Sequence, residues 1–197
     1  VRRTRRIYPA LIFTVVATYV AGALWSSPLM FLDLAKECTH ALLSIANIQY
    51  WRESHRYFAA SSDELALLHF WSLSLEEQFY LVWPLCLVLA LRFKRVFAAI
   101  AIAGLASLIG AILIARSDPL AAFFLMPFRI SEFAIGALVL LLEKRVALSA
   151  AAAELASLGG IVSIAASVLL FWSDMPYLEA AVLIPCLGAA ATIWAGG

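Results

Sequence analysis

The chain has 197 residues, of which 64% are hydrophobic and 14% are charged, and its mean hydropathy is +0.95. A soluble domain is usually about 45–50% apolar and about 25% charged, so this composition excludes a soluble globular protein and predicts an integral membrane protein. The net charge of +1 gives no reason to expect a nucleic-acid partner.

Apolar segments that approach the length of a membrane-spanning helix, about 17–25 residues, recur along the whole chain. In chain order they are 9–24, 34–51, 75–91, 96–115, 120–142, 155–172 and 178–194. The predicted fold class is therefore all-α, a polytopic transmembrane helix bundle with about six spanning helices and one re-entrant or interfacial segment. We expect one membrane-embedded domain over residues 1–197, truncated at both ends, because no initiator methionine or signal peptide precedes the first basic run.

The segment 34–51 is the weakest of these candidates, because it is the most polar. Its polar residues are Lys36, Glu37, His40, Asn47 and Gln49. Cytoplasmic loops collect Lys and Arg, and the basic clusters here lie at 2–6, 92–95 and 144–145. All three become cytoplasmic if 34–51 is re-entrant or interfacial, which makes 52–74 an outer loop. A multi-pass protein of the inner membrane is expected.

The basic run at the N-terminus has two interpretations. Arg3 and Arg6 are one helical turn apart, and guanidinium groups suit phosphates. The run is either an ordinary cytoplasmic anchor or an anion site for a phosphorylated donor such as a coenzyme A thioester. The sequence pattern leaves both open.

The segment 69–80 begins the next candidate helix. Ser74 followed by Glu77 has the spacing of a capping box, which predicts a helix start at Ser74 with both Glu76 and Glu77 in the first turn. The structural interpretation is a well-capped membrane helix whose carboxylates face water.

A functional interpretation of the same run stands beside it. Glu77 and Tyr80 are three residues apart and share a helix face, and His69 and Trp71 precede the cap. A carboxylate, a phenol and an imidazole at one interface are able to orient a hydroxyl acceptor or a catalytic base. Ionisable groups at such a place are costly and favour a function.

A third polar group lies at 127–136. Arg129, Glu132 and Gly136 are spaced to share one helix face. The spacing predicts an ion pair between Arg129 and Glu132, with Gly136 permitting a close helix approach. The pair either locks two helices together or lines a polar cavity.

The remaining candidates for chemistry carry weaker signals. His40 and His55 have no partner at a recognisable spacing and are interpreted as interfacial or loop residues. The three cysteines have no metal-ligand spacing, and no nucleotide or hydrolase motif occurs. No metal and no bound cofactor are expected.

Several of these segments together resemble one family. The run 69–80, H-F-W-S-L-S-L-E-E-Q-F-Y, closely resembles the signature of the acyltransferase 3 family of bacterial membrane proteins. These are O-acetyltransferases of surface polysaccharides and peptidoglycan. The segment 3–11 resembles the family's RxxR-I-x-P segment, 47–51 its loop landmark, and 128–136 its later Arg-acid-Gly helix. The resemblance covers residues 1–145.

The resemblance implies a membrane bundle that takes an acyl group, usually acetyl, from cytoplasmic acyl-CoA and delivers it to a glycan hydroxyl across the membrane. Acyl-CoA is then a co-substrate. Arg3 and Arg6 match the residues that engage the donor. The family's catalytic histidine lies in a helix upstream of these arginines, so the fragment alone is expected to be inactive.

Within the chain, the resemblance makes Glu77 the candidate catalytic residue. The candidates for the acceptor site or its structural motif are His69, Trp71, Ser72, Ser74, Tyr80, Arg129 and Glu132. Two other function classes stay open: a transporter or flippase of a polar or lipid-linked substrate, and a non-catalytic membrane subunit. The acceptor and the oligomeric state are left unassigned.

Overall fold

The computed structural model describes residues 2–55, 65–171 and 179–196, apart from the side chains of residues 2–4 and 179–180. These ranges contain helices and turns, with no strand. The helices are α1 (Arg2–Trp25), α2 (Pro28–Leu42), α3 (Ala46–Ser54), α4 (Phe70–Arg92), α5 (Val96–Ile114), α6 (Pro119–Phe124), α7 (Ile130–Glu143), α8 (Ala150–Leu170) and α9 (Glu179–Ala195). A 3-10 turn at Met126–Phe128 separates α6 from α7.

Four of the described helices are long and apolar enough to cross a membrane: α1, α4, α5 and α8. Ala181–Ala195 within α9 is apolar but shorter. Many large apolar side chains are exposed at the surface, among them Trp25 at 81% and Leu169 at 82%. Contiguous apolar surface of this kind is stable against lipid and not against water. The predicted all-α, multi-pass membrane protein is confirmed.

The predicted span 120–142 is divided. The helix α6 ends at Phe124, a 3-10 turn carries Pro127, and α7 begins only at Ile130. Proline has a fixed φ and no backbone N–H, so it interrupts a continuous helix here. Pro127 therefore lies in the turn before α7.

The polar segment 34–51 is divided as well. The helix α2 begins at Pro28, behind a Ser27 cap, and ends in a turn in which Ser44 has a φ of 56°. The amide of Ile45 donates to the His40 carbonyl at 2.9 Å, and that of Ser44 to Ala41 at 3.1 Å, which is a Schellman motif. The segment is thus two short helices, α2 and α3, and neither has the length of a membrane span.

The chain forms two compact units, Val1–Val82 and Trp83–Gly197, described separately below. In the first unit, α1 and α2 share an apolar core of Leu11, Val15, Cys38, Ala41 and Leu67. One domain over 1–197 and the cytoplasmic side of the basic clusters stay predictions. Within the predicted outer loop 52–74, residues 56–64 lie outside the described ranges.

In the second unit, α8 and α9 approach closely through glycine. A Cβ added at Gly160 would collide with the carbonyl oxygen of Gly188 and the hydroxyl of Thr192. The Ser163 hydroxyl donates to the Ile184 carbonyl at 2.9 Å, which links the same two helices. Glycine lets the two backbones come this near.

The helices α5 and α7 also approach closely, but not at the predicted glycine. A Cβ at Gly104 would lie 2.7 Å from the Cβ of Ala134, whereas a Cβ at Gly136 would meet nothing within 4 Å. The prediction that Gly136 permits the close approach is therefore wrong. The small residue required at the contact is on α5, and the spacing within α7 could not reveal it.

Candidate functional site

The centre of the candidate site is the Glu77 carboxylate in the first unit. Glu77 lies on α4 and is partly buried. Its Oε2 accepts a hydrogen bond from the Tyr8 hydroxyl of α1 at 3.3 Å and another from the Ser44 hydroxyl between α2 and α3. Hydrogen bonds to a charged group each contribute about 1.5–3 kcal/mol. One carboxylate thus joins three separate segments of the chain.

Ser44 reaches Glu77 from an unusual backbone conformation. A non-glycine residue in the left-handed region costs roughly 1–2 kcal/mol, and glycine normally fills this position of a Schellman motif. Serine retains a hydroxyl there, and that hydroxyl donates to Glu77. The strained position therefore contributes a polar group to the site that glycine would not supply.

The neighbouring amides hold the same turn in place. The Gln78 amide nitrogen donates to the Ser44 carbonyl at 2.9 Å and to Asn47 Oδ1 at 2.8 Å. Asn47 is fully buried, with 0% of its surface exposed. Buried polar groups are tolerated when they are hydrogen-bonded, so α4 fixes the α2–α3 turn through a satisfied network.

Ser74 is part of this attachment and is not a helix cap. The helix α4 begins at Phe70, so both Ser74 and Glu77 lie inside it. The buried Ser74 hydroxyl accepts the backbone amide of Ala46 at 3.3 Å, at the start of α3. The predicted capping box is therefore wrong, because the turn at 66–69 leads directly into the helix and moves its start upstream.

The other residues predicted from the 69–80 run lie elsewhere. The Tyr80 hydroxyl donates to Glu76 at 3.4 Å. His69 is exposed in the turn before α4, where its carbonyl accepts the Ser72 hydroxyl at 3.2 Å. Trp71 is half-buried in the first helical turn. Among the described residues, His69 makes no hydrogen bond to the Glu77 carboxylate.

The predicted donor residues stand at the start of α1. Arg6 is exposed, and the side chain of Arg3 lies outside the described part of the chain. Tyr8, which binds Glu77, is on the same helix. The contact between Tyr8 and Glu77 could not be predicted from the sequence, because no local pattern links two residues so far apart in the chain.

A second buried carboxylate supports the start of α4. Glu37 is 5% exposed, and its Oε2 accepts the Tyr50 hydroxyl at 3.2 Å and the Leu67 amide at 3.1 Å. Burial raises the pKa of Glu37 above its ordinary value of 4.5, although the bonds from Leu67 and Tyr50 act against that rise. Glu37 thus ties α2 to α3 and to the turn that precedes α4.

The raised pKa of Glu37 predicts a pH dependence of stability. The folded state prefers the protonated carboxyl, so the free energy of unfolding falls as pH rises from 4.5 to the raised pKa. Glu37→Gln keeps an acceptor and removes the charge, so this slope should disappear. Glu37→Leu leaves the Leu67 amide unpaired and should cost about 1–3 kcal/mol. Thermal unfolding in detergent from pH 4 to 8 checks both, and an unchanged slope in Glu37→Gln would contradict the assignment.

The predicted ion pair of the second unit is present. Arg129 Nε lies 2.8 Å from Glu132 Oε1, and Arg129 Nη2 lies 3.1 Å from Glu132 Oε2. The guanidinium also sits over the Phe123 ring, 5.6 Å from its centre. The ion pair is therefore bidentate, which is the stronger arrangement, and it fixes both side chains at the start of α7.

Comparison with known proteins adds partial relatives. The chain is 40% identical over 93 residues to an uncharacterized protein of Haemophilus influenzae, covering 46% of this chain and 37% of that protein. No protein-family profile and no solved structure matches the chain.

The relatives with functional names match a similar share of the chain. It is 33% identical over 94 residues to the O-acetyltransferase OatA of Staphylococcus aureus, covering 47% of this chain and 15% of OatA. It is 31% identical over 103 residues to the putative peptidoglycan O-acetyltransferase YrhL of Bacillus subtilis, covering 51% of this chain and 16% of YrhL. Over about half of its length, the chain is therefore similar to bacterial O-acetyltransferases.

Proposed function

We propose that the protein carrying this chain is a membrane O-acyltransferase that moves an acetyl group from acetyl-CoA to a hydroxyl of a cell-wall glycan. The observation that supports this most is the Glu77 carboxylate, held by two hydroxyls in an apolar helical protein. The names of OatA and YrhL support the reaction class.

The proposed role of Glu77 follows from its hydrogen bonds. Among the described residues, both hydroxyl donors bind Oε2. The other oxygen, Oε1, is then available to accept a hydrogen bond from the acceptor hydroxyl. A carboxylate in this position orients the hydroxyl and raises the electron density on its oxygen. Glu77 is kept in place by Tyr8 and Ser44, so little reorganisation is needed when the acceptor arrives.

The proposed reaction is an acyl transfer that balances without a metal or redox partner. The acceptor oxygen forms a bond to the acetyl carbonyl carbon, and the carbon–sulfur bond of the thioester breaks. The hydroxyl proton passes by way of a base to the departing thiolate, which leaves as coenzyme A. The histidine that the resemblance implies upstream of Arg3 would be that base, with Glu77 as the orienting group.

The donor side rests on the N-terminal arginines. Coenzyme A carries several phosphate groups, and exposed guanidinium groups at a cytoplasmic interface bind phosphate well. Arg6 is exposed near the start of α1, on the helix that also supplies Tyr8. The inner membrane location and the cytoplasmic side of α1 are part of the proposal.

A charge substitution tests the donor assignment. Arg6→Gln is expected to raise the KM for acetyl-CoA by about tenfold, which is about 1.4 kcal/mol of lost binding, with little change in kcat. Arg5→Gln is the matched control, because Arg5 is also exposed and adjacent but is not one of the two arginines that the resemblance assigns to the donor. Equal effects of the two substitutions on KM would instead support a general basic anchor.

Deletion of the gene tests the proposed function in cells. The alkali-released acetate of purified cell-wall glycan should fall on deletion and return when the complete gene is restored. Restoration by a plasmid lacking the gene, or no loss of acetate on deletion, would contradict it.

A further inference from the structure

A polar cleft opens beside α2 and α3 in the first unit. Its volume is about 370 Å³, and it is lined by His40, Gln49, Arg52 and Glu53. A volume of this order falls in the range of small-molecule sites, about 300–1,000 Å³. None of these residues belongs to the Glu77 cluster, although the helices that line the cleft are joined by the turn that carries Ser44.

His40 presents a hydrogen-bond acceptor on one ring nitrogen. Its Nδ1 lies 2.7 Å from the Lys36 carbonyl oxygen. A carbonyl oxygen only accepts, so Nδ1 carries the proton in this bond. In the neutral ring, Nε2 is then unprotonated and accepts a hydrogen bond.

Gln49 presents a second acceptor. The residue is 6% exposed, and its Nε2 donates to Glu53 Oε1 at 2.9 Å. A carboxylate only accepts hydrogen bonds, so the Gln49 amide nitrogen faces Glu53 and the amide oxygen faces away from it. Within the described residues, Gln49 Oε1 has no hydrogen-bond partner. This oxygen is itself buried, and a buried oxygen without a partner is destabilising. A donor in the cleft would satisfy it once the Gln49 side chain turns toward the ligand.

The charge of the cleft favours a neutral ligand. Arg52 and Glu53 carry opposite charges on the same short helix, so the formal charge of the lining is balanced when His40 is neutral. An anion would face the Glu53 carboxylate and two acceptor atoms that have no proton to offer. A ligand with several hydroxyl groups suits this lining, because each hydroxyl both donates and accepts.

We propose that the cleft binds a sugar unit of the glycan acceptor through its hydroxyl groups, with Nε2 of His40 and Oε1 of Gln49 as acceptors. This inference rests on the proposed function, which requires a glycan acceptor. His40 and Gln49 act in binding and not in the transfer step. Arg52 supplies donors to hydroxyl or ring oxygens.

Direct binding tests the cleft with the complete protein purified in detergent. The probe is a β-1,4-linked N-acetylglucosamine tetramer, followed by isothermal titration calorimetry. His40→Phe and Gln49→Met should each raise the Kd at least fivefold. His55→Phe is the matched control, since His55 also binds the carbonyl four residues earlier, that of Trp51 at 2.8 Å, but does not line the cleft.

The thermal midpoint of each variant is measured to show that the compared proteins are folded. Arg52→Gln is a further cleft variant, at an exposed position where substitution does not alter buried packing. The inference is overturned if the wild type does not bind the tetramer, or if the cleft variants bind it as the His55 control does.

Acetyl transfer on the same preparations separates this inference from the proposed function. Transfer with an unchanged acceptor KM in the cleft variants would overturn the cleft and leave the function standing. Tetramer binding that depends on His40 and Gln49, without any acetyl transfer, would support the cleft and contradict the function.

Discussion

Glu77→Gln is expected to lower acetyl transfer to the glycan by at least about 100-fold, the lower end of the usual range for an acid–base group. The amide retains the shape of the side chain and one oxygen that accepts the Tyr8 and Ser44 hydroxyls. It lacks the charge that orients and activates an acceptor hydroxyl. The measurement is alkali-released glycan acetate in a deletion strain that carries the variant gene.

Glu76→Gln is the matched control for this prediction. Glu76 is adjacent on α4 and accepts the Tyr80 hydroxyl at 3.4 Å, outside the Glu77 cluster. It should leave transfer within about twofold of wild type, as expected for a partly exposed carboxylate with no proposed role. Normal acetylation by Glu77→Gln at a normal protein level would remove Glu77 from the mechanism.

Gly160→Ala should lower the thermal midpoint strongly. The added Cβ would collide with the Gly188 carbonyl oxygen and the Thr192 hydroxyl, and would lie 3.2 Å from the Thr192 amide nitrogen. Two of these three atoms belong to the α9 backbone, so relief requires the helices to separate. Overpacking of this kind typically costs about 1–3 kcal/mol.

Gly159→Ala provides a control that differs by one position. A Cβ there would meet nothing within 4 Å, and alanine has the higher helix propensity. Its thermal midpoint should stay the same or rise. Equal midpoints for the two variants would show that α8 and α9 do not pack through Gly160.

The parts of the fold that could be predicted from the sequence are those set by residues close together in the chain. Hydropathy predicted α1, α4, α5 and α8, because a membrane-spanning helix consists of a continuous run of apolar residues. The breaks at Ser44 and Pro127 were missed. Ser44 has a left-handed backbone conformation, for which glycine is the usual sequence signal. Its conformation depends on hydrogen bonds made by residues of α4.

The candidate site shows the same division. Glu77 stands out in the sequence as a costly polar residue in an apolar helix, but its hydrogen-bond partners could not be predicted, because Tyr8 and Ser44 come from two other segments. The Ser74–Glu77 spacing matches a cap only if the helix starts there. Its start at Phe70 makes the same two residues contacts to α3 and to the turn before it.

His40 is a further residue that local pattern could not select. Its spacing to other polar residues predicts no binding site. Only the break between α2 and α3 brings it to the same cleft as Gln49 and Arg52. The signal available in the sequence was the polarity of 34–51, which correctly marked the segment as a poor membrane span.

The proposed acyl transfer is tested most directly by reconstitution. The complete protein in liposomes would receive acetyl-CoA labelled in the acetyl group and a peptidoglycan fragment with free hydroxyls. The label is expected on the fragment as an alkali-labile ester, which is lost in Glu77→Gln and retained in Glu76→Gln. Movement of the fragment across the membrane without any ester formation would contradict an acyltransferase and favour a transporter.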